Sequence, residues 1–84
     1  MEKLFETLYR FSPETTTPLI GSGINRQYCR MQGRGVSCIG VRGTDPLENK
    51  AFLTIAAHLR KKGIPVPEVL AVSEDGMTYL QEDL

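Results

Sequence analysis

The sequence has no tryptophan, a single histidine (His58), only two cysteines (Cys29 and Cys38) and no excess of either charge. Each shortage excludes something. Ten Lys plus Arg offset ten Asp plus Glu, so no one-sided field draws the chain onto nucleic acid or an anionic membrane. The basic residues are not interleaved with an aromatic stacking platform, which also counts against nucleic acid as a partner. Apolar runs last only a few residues, far short of the roughly 20 needed to cross a bilayer. The opening Met1-Glu2-Lys3-Leu4-Phe5-Glu6 carries acids where a secretory signal has an apolar core, which points to the cytoplasm. Cys29 and Cys38 form no CxxC pair and His58 stands alone, so a structural zinc site lacks ligands. Both cysteines are expected as reduced core thiols. One histidine also leaves no Ser/His/Asp or Cys/His pairing for nucleophilic catalysis.

What remains is enough for one small globular domain spanning residues 1–84, with 40% apolar residues spread along it. Leu4, Phe5, Leu8, Tyr9 and Phe11 fall on one stripe and predict a short amphipathic helix. Ser12-Pro13 ends it, and the stretch through Pro18 reads as a loop or edge segment. Three strands are expected next: Leu19-Ile20, Gln27-Tyr28-Cys29-Arg30-Met31 and Val36-Ser37-Cys38-Ile39-Gly40-Val41-Arg42. Their glycine-bearing connections, Gly21-Ser22-Gly23-Ile24-Asn25-Arg26 and Gln32-Gly33-Arg34-Gly35, suit antiparallel neighbours.

A helix over 45–62 follows, capped by Thr44 or Asp45, with Pro46 first and Gly63 as its stop. Leu47, Ala51, Phe52, Ile55, Ala56 and Leu59 form its apolar stripe. After Ile64-Pro65-Val66-Pro67, the runs Val69-Leu70-Ala71-Val72 and Met77-Thr78-Tyr79-Leu80-Gln81 flank an Asp75-Gly76 hairpin tip. The expected fold is α+β: a five-stranded, mainly antiparallel sheet with one main helix packed on it, plus the short N-terminal helix. Glu82-Asp83-Leu84 carries no stop signal, cap or polar tail, the pattern of a boundary inside a longer protein.

Two features carry chemistry. Gly21-Ser22-Gly23 lets backbone N–H groups approach a ligand and point at phosphate oxygens, or else is an ordinary hairpin turn. It is not a dinucleotide fingerprint, since Arg26 stands where the third glycine belongs, and no Gly-Lys-Ser/Thr follows. Glu48 lies on or beside the apolar stripe of its helix. It compensates the dipole at the helix start, or it is an acid aimed across the sheet at a base that positions an anion. Arg26, Arg30, Arg34 and Arg42 lie in or beside the strands that would face it. Alternation sets Arg26, Tyr28 and Arg30 against Gln27, Cys29 and Met31, and Cys38, Gly40 and Arg42 against Ser37, Ile39 and Val41. One markedly basic, small-residued face is the expectation.

Gly21-Ser22-Gly23-Ile24-Asn25-Arg26-Gln27-Tyr28-Cys29-Arg30, Glu48-Asn49-Lys50-Ala51-Phe52, Gly63-Ile64-Pro65-Val66-Pro67-Glu68-Val69-Leu70 and Tyr79-Leu80-Gln81-Glu82-Asp83-Leu84 occur in this order. Together they resemble the N-terminal lobe of the aminoglycoside phosphotransferase and choline kinase-like family. The pattern is nearest to bacterial kinases of cell-wall amino sugars such as N-acetylmuramate. The resemblance covers residues 18–84 and implies a protein-kinase-like small lobe that covers ATP, with Mg. It places Gly21, Ser22, Gly23, Ile24 and Asn25 over the phosphates, Tyr28 near the adenine, and Glu48 as the helix acid. It makes Gln81 the back of the pocket, and Glu82, Asp83 and Leu84 the hinge. The third strand lacks the family's lysine; Arg42 is the nearest cation and Arg30 another candidate. Catalytic and metal-binding acids of the family lie in its C-terminal lobe. The implied partners are therefore that lobe and a small-molecule acceptor with a hydroxyl group, such as a sugar, and the 84 residues alone are expected to be inactive. A non-catalytic binding or regulatory module with a kinase-derived fold is the alternative.

Overall fold

The computed structural model describes residues 1–19, 26–43 and 45–83. In chain order they form α1 (Glu2–Tyr9), β1 (Thr15–Leu19), β2 (Arg26–Gly33), β3 (Val36–Gly43), α2 (Pro46–Lys61), β4 (Val69–Val72) and β5 (Thr78–Glu82). The strands make one antiparallel sheet in the order β1-β2-β3-β5-β4, so the expected α+β fold is the one that forms.

Local signals set most boundaries. Arg34 and Gly35 both have positive φ (50° and 80°), which gives the two-residue, right-twisting turn that joins β2 to β3. At the β4–β5 tip, the Asp75 carboxylate accepts from Ser73 Oγ at 2.6 Å and Met77 N–H at 2.9 Å, with Gly76 at φ 71°. Asp45 caps α2 by accepting from Leu47 N–H at 2.9 Å. Gly63, at φ 81°, ends it: Ile64 N–H bonds Leu59 O and Gly63 N–H bonds Arg60 O, the paired bonds of a glycine-terminated helix.

Strand pairing distributes the side chains over two faces, because paired residues share a face. Tyr28 pairs Val41 and Arg30 pairs Ile39, and these continue across β5 to Tyr79 and Gln81. That face carries α2. Cys29 pairs Gly40 and Met31 pairs Cys38, and this second face carries α1. Phe5, Met31, Cys38 and Leu80 are fully buried there, with Phe11 edge-on to Phe5 at 5.4 Å and Tyr9 at 4.7 Å. Gly40 leaves room for the same packing: a Cβ on it would lie 2.9 Å from Met1 Sδ and Met31 Cε, and those two flexible side chains would have to shift. Both cysteines are free and buried, as the sequence leads one to expect.

Two expectations are corrected. The first strand is Thr15–Leu19, inside the segment read as loop or edge, with Ile20 outside the described residues. Pro18 is tolerated because β1 is an edge strand, pairing only with β2. The predicted apolar stripe of α2 does not face the sheet as a whole: Leu47 is 78% exposed and Ile55 58%, and Phe52 and Ala51 are also exposed. Among the described residues the only buried side chain of α2 is Asn49, which donates from Nδ2 to Gly76 O at 3.0 Å and Met77 O at 2.9 Å. Each sheet face carries a helix, since α1 packs opposite α2. Among the described residues, no helix is long and apolar enough to cross a membrane.

Candidate functional site

The α2 face of the sheet gathers most of the described residues of the sequence-predicted site. Arg26 begins β2, and its side chain is only 12% exposed. A charge this sheltered needs compensation. Its Nη1 donates to Tyr79 Oη at 3.0 Å, its guanidinium lies 4.8 Å from the centre of the Phe52 ring, and its Nε stands 3.9 Å from Glu48 Oε1. The Phe52 and Tyr79 rings stack at 5.9 Å, so the guanidinium meets a prearranged aromatic pair. Glu48 is held at this height by the Asp45 cap at the start of α2 and by Asn49, whose amide ties the same turn to the β4–β5 hairpin. Burial pushes the Tyr79 phenol up, and the nearby Arg26 charge opposes it.

Four residues further along β2, Arg30 Nε and Nη2 donate to the two carboxylate oxygens of Asp83 at 2.7 and 3.1 Å, a fork-to-fork pairing. Ser37 Oγ donates to the same carboxylate at 2.6 Å. The Arg30 and Ser37 hydrogen bonds hold the Asp83 carboxyl below the usual carboxylate range. The residue just past β5 is thereby fastened to β2 and β3. Ile39, buried, lies between Arg30 and Gln81 in the ladder, and half-buried Tyr28 sits beside Val41.

Of the predicted site residues, then, Tyr28, Arg30, Glu48, Gln81 and Asp83 come together on the α2 face. Glu82 is drawn aside: its carboxylate accepts from Glu68 N–H and stands 3.6 Å from Arg60 Nη1. Arg42 is a correction. It pairs with Gln27 in the ladder, which places it on the α1 face, exposed and across the sheet from Glu48. The single basic face inferred from alternation therefore splits, because pairing even-numbered β2 residues with odd-numbered β3 residues separates Arg42 from Arg26 and Arg30. Gly21, Ser22, Gly23, Ile24, Asn25 and Leu84 lie outside the described residues.

Sequence reasoning did not single out Tyr79, Phe52 or Ser37 as partners of the arginines. Their signal is register, which single-chain periodicity does not carry. Among the described residues, no three His, Cys, Asp or Glu side chains gather where they could hold a metal ion. Burial lifts the Cys38 thiol to about 11 and also raises Cys29, so both are poor nucleophiles. No family model matches the chain, and no curated protein matches it.

Proposed function

We propose that the chain is the nucleotide-covering N-terminal lobe of an ATP-dependent phosphotransferase of the aminoglycoside phosphotransferase and choline kinase-like kind. The acceptor is the hydroxyl of a small polar molecule, a sugar or amino sugar, and the setting is cytoplasmic. One observation carries this reading: an acid on the helix that follows the third strand, Glu48, faces a sheet cation, Arg26. In kinases a helix glutamate paired with a sheet cation must be in place before the phosphates are held. Tyr28, Arg30, Gln81 and Asp83 share that face and supply aromatic, cationic and amide groups for a nucleotide. Mg would be held by acids of the C-terminal lobe, which also supplies the catalytic base, so the 84 residues alone transfer no phosphate.

The second reading, a binding or regulatory module that has lost nucleotide chemistry, has its own observation. The α2 side of β3 is Ser37, Ile39 and Val41, with no lysine among them. Titration of the chain with Mg-ATP, followed by backbone amide NMR, separates the two. Shifts concentrated at Tyr28, Arg30, Gln81 and Asp83 support the phosphotransferase lobe. A spectrum unmoved at those residues at millimolar nucleotide removes it and leaves the module.

A further inference from the structure

We propose that Arg26 is the phosphate-binding cation of this site, supplying from β2 the charge that the resembling family takes from a third-strand lysine. The inference rests on the nucleotide reading above and assigns within it a role that sequence reasoning offered to Arg42 or Arg30. Elimination narrows the choice first. Arg42 is on the α1 face, and Arg30 is committed to Asp83 through two hydrogen bonds. Arg26 alone of the three stands beside the helix acid.

Geometry then gives Arg26 the right properties. Its guanidinium is sheltered, stacked on Phe52 and steered by Tyr79 Oη, which fixes the plane of the fork. Glu48 approaches only to 3.9 Å, on the Nε side, and is itself 56% exposed. That is too long for a hydrogen bond. Glu48 therefore offsets part of the Arg26 charge without taking one of its hydrogen-bond donors, and a planar guanidinium in a sheltered site is well suited to a phosphate's oxygens.

The test compares binding of Mg-ATP and of adenosine by calorimetry, for the 84-residue chain and its Arg26→Gln, Arg26→Lys and Arg42→Gln variants. Arg26→Gln should weaken ATP about tenfold or more while leaving adenosine unchanged, as loss of one charged hydrogen-bond donor predicts. Arg26→Lys should recover part of the gap, and Arg42→Gln should change neither ligand. Equal ATP affinity in Arg26→Gln and the unaltered chain overturns the assignment and leaves the nucleotide reading standing. A loss of ATP and adenosine alike also overturns it, since the role is then structural. If the unaltered chain binds neither ligand, the nucleotide reading itself falls. Should Arg26→Gln fail to fold, the Arg26 Nε–Hε resonance of the unaltered chain decides: it moves with Mg-ATP and not with adenosine, or the assignment is wrong.

Discussion

The two faces of the sheet are built on different terms. The α1 face is closed: an eight-residue helix brings Phe5, Tyr9 and the following Phe11 into one aromatic group over Met31, Cys38 and Leu80. The α2 face is covered by a helix twice as long, sixteen residues, that buries one polar side chain and leaves Leu47, Phe52 and Ile55 in contact with solvent. Length is therefore no measure of how firmly a helix is attached. On the first face hydrophobic burial does the holding; on the second, Leu53 packs on Ile39, Val41 and Tyr79, and an amide and a guanidinium add polar ties. The proposed site lies on the second face, where polar contacts share the holding with apolar ones.

Truncation on each face tests that contrast most directly. Phe5→Ala should cost about 3–5 kcal/mol, the usual loss for a fully buried phenylalanine. Phe52→Ala, at a 42% exposed position, should cost about 1 kcal/mol, the loss being partial burial and its aromatic contacts. Urea unfolding of both variants measures the difference, and equal costs would erase the distinction between the faces. Asn49→Ala comes next. Removing its two donors takes that partner from the Gly76 carbonyl and one of two from the Met77 carbonyl, which keeps Gly43 N–H, and should cost about 1–2 kcal/mol. The cost is held down because Oδ1 has no hydrogen-bond donor among the described residues. Hydrogen exchange should then quicken in α2 and stay unchanged in α1; uniform quickening would mean that the helix is not separately tethered.

The smallest effect belongs to Asp83. Its folded carboxyl titrates below the ordinary value of 3.8, so its contribution is fully present above that value and is lost as pH falls through the lower, folded one. Thermal melts from pH 7 down to pH ~2.5 should show a shallower acid decline for Asp83→Asn than for the unaltered chain. Parallel declines would show that the Arg30 and Ser37 bonds to Asp83 add nothing to the α2 face.

What the sequence reveals follows range. Turns and helix ends were legible because a few adjacent residues determine them: Arg34-Gly35, Asp75-Gly76, Asp45 with Pro46, and Gly63. Glu48 was legible as an acid at the helix start that either compensates the dipole or points across the sheet, and it stands exposed 3.9 Å from Arg26 Nε. Its partner was not. Choosing Arg26 over Arg42 depends on the Arg26↔Gly43 and Gln27↔Arg42 register, and a shift of one residue would set both arginines on one face. The burial of α2 was misread for a related reason. Periodicity finds an apolar stripe but does not say that a buried Asn49, tied to a hairpin 27 residues away, will rotate another side of the helix toward the sheet. β1 was hidden by Pro18, a residue that argues against a strand everywhere except at an edge.

Those edges bear on how the molecule meets others. One rim of the sheet is β1, where Pro18 has no N–H to offer, and the other is β4, four residues long with a register shift between Val69 and Ala71. Neither rim presents the long, regular row of donors and acceptors that recruits a further strand. Self-association by sheet extension, the common route from a small β-rich domain to an aggregate, is disfavoured along the described parts of both rims.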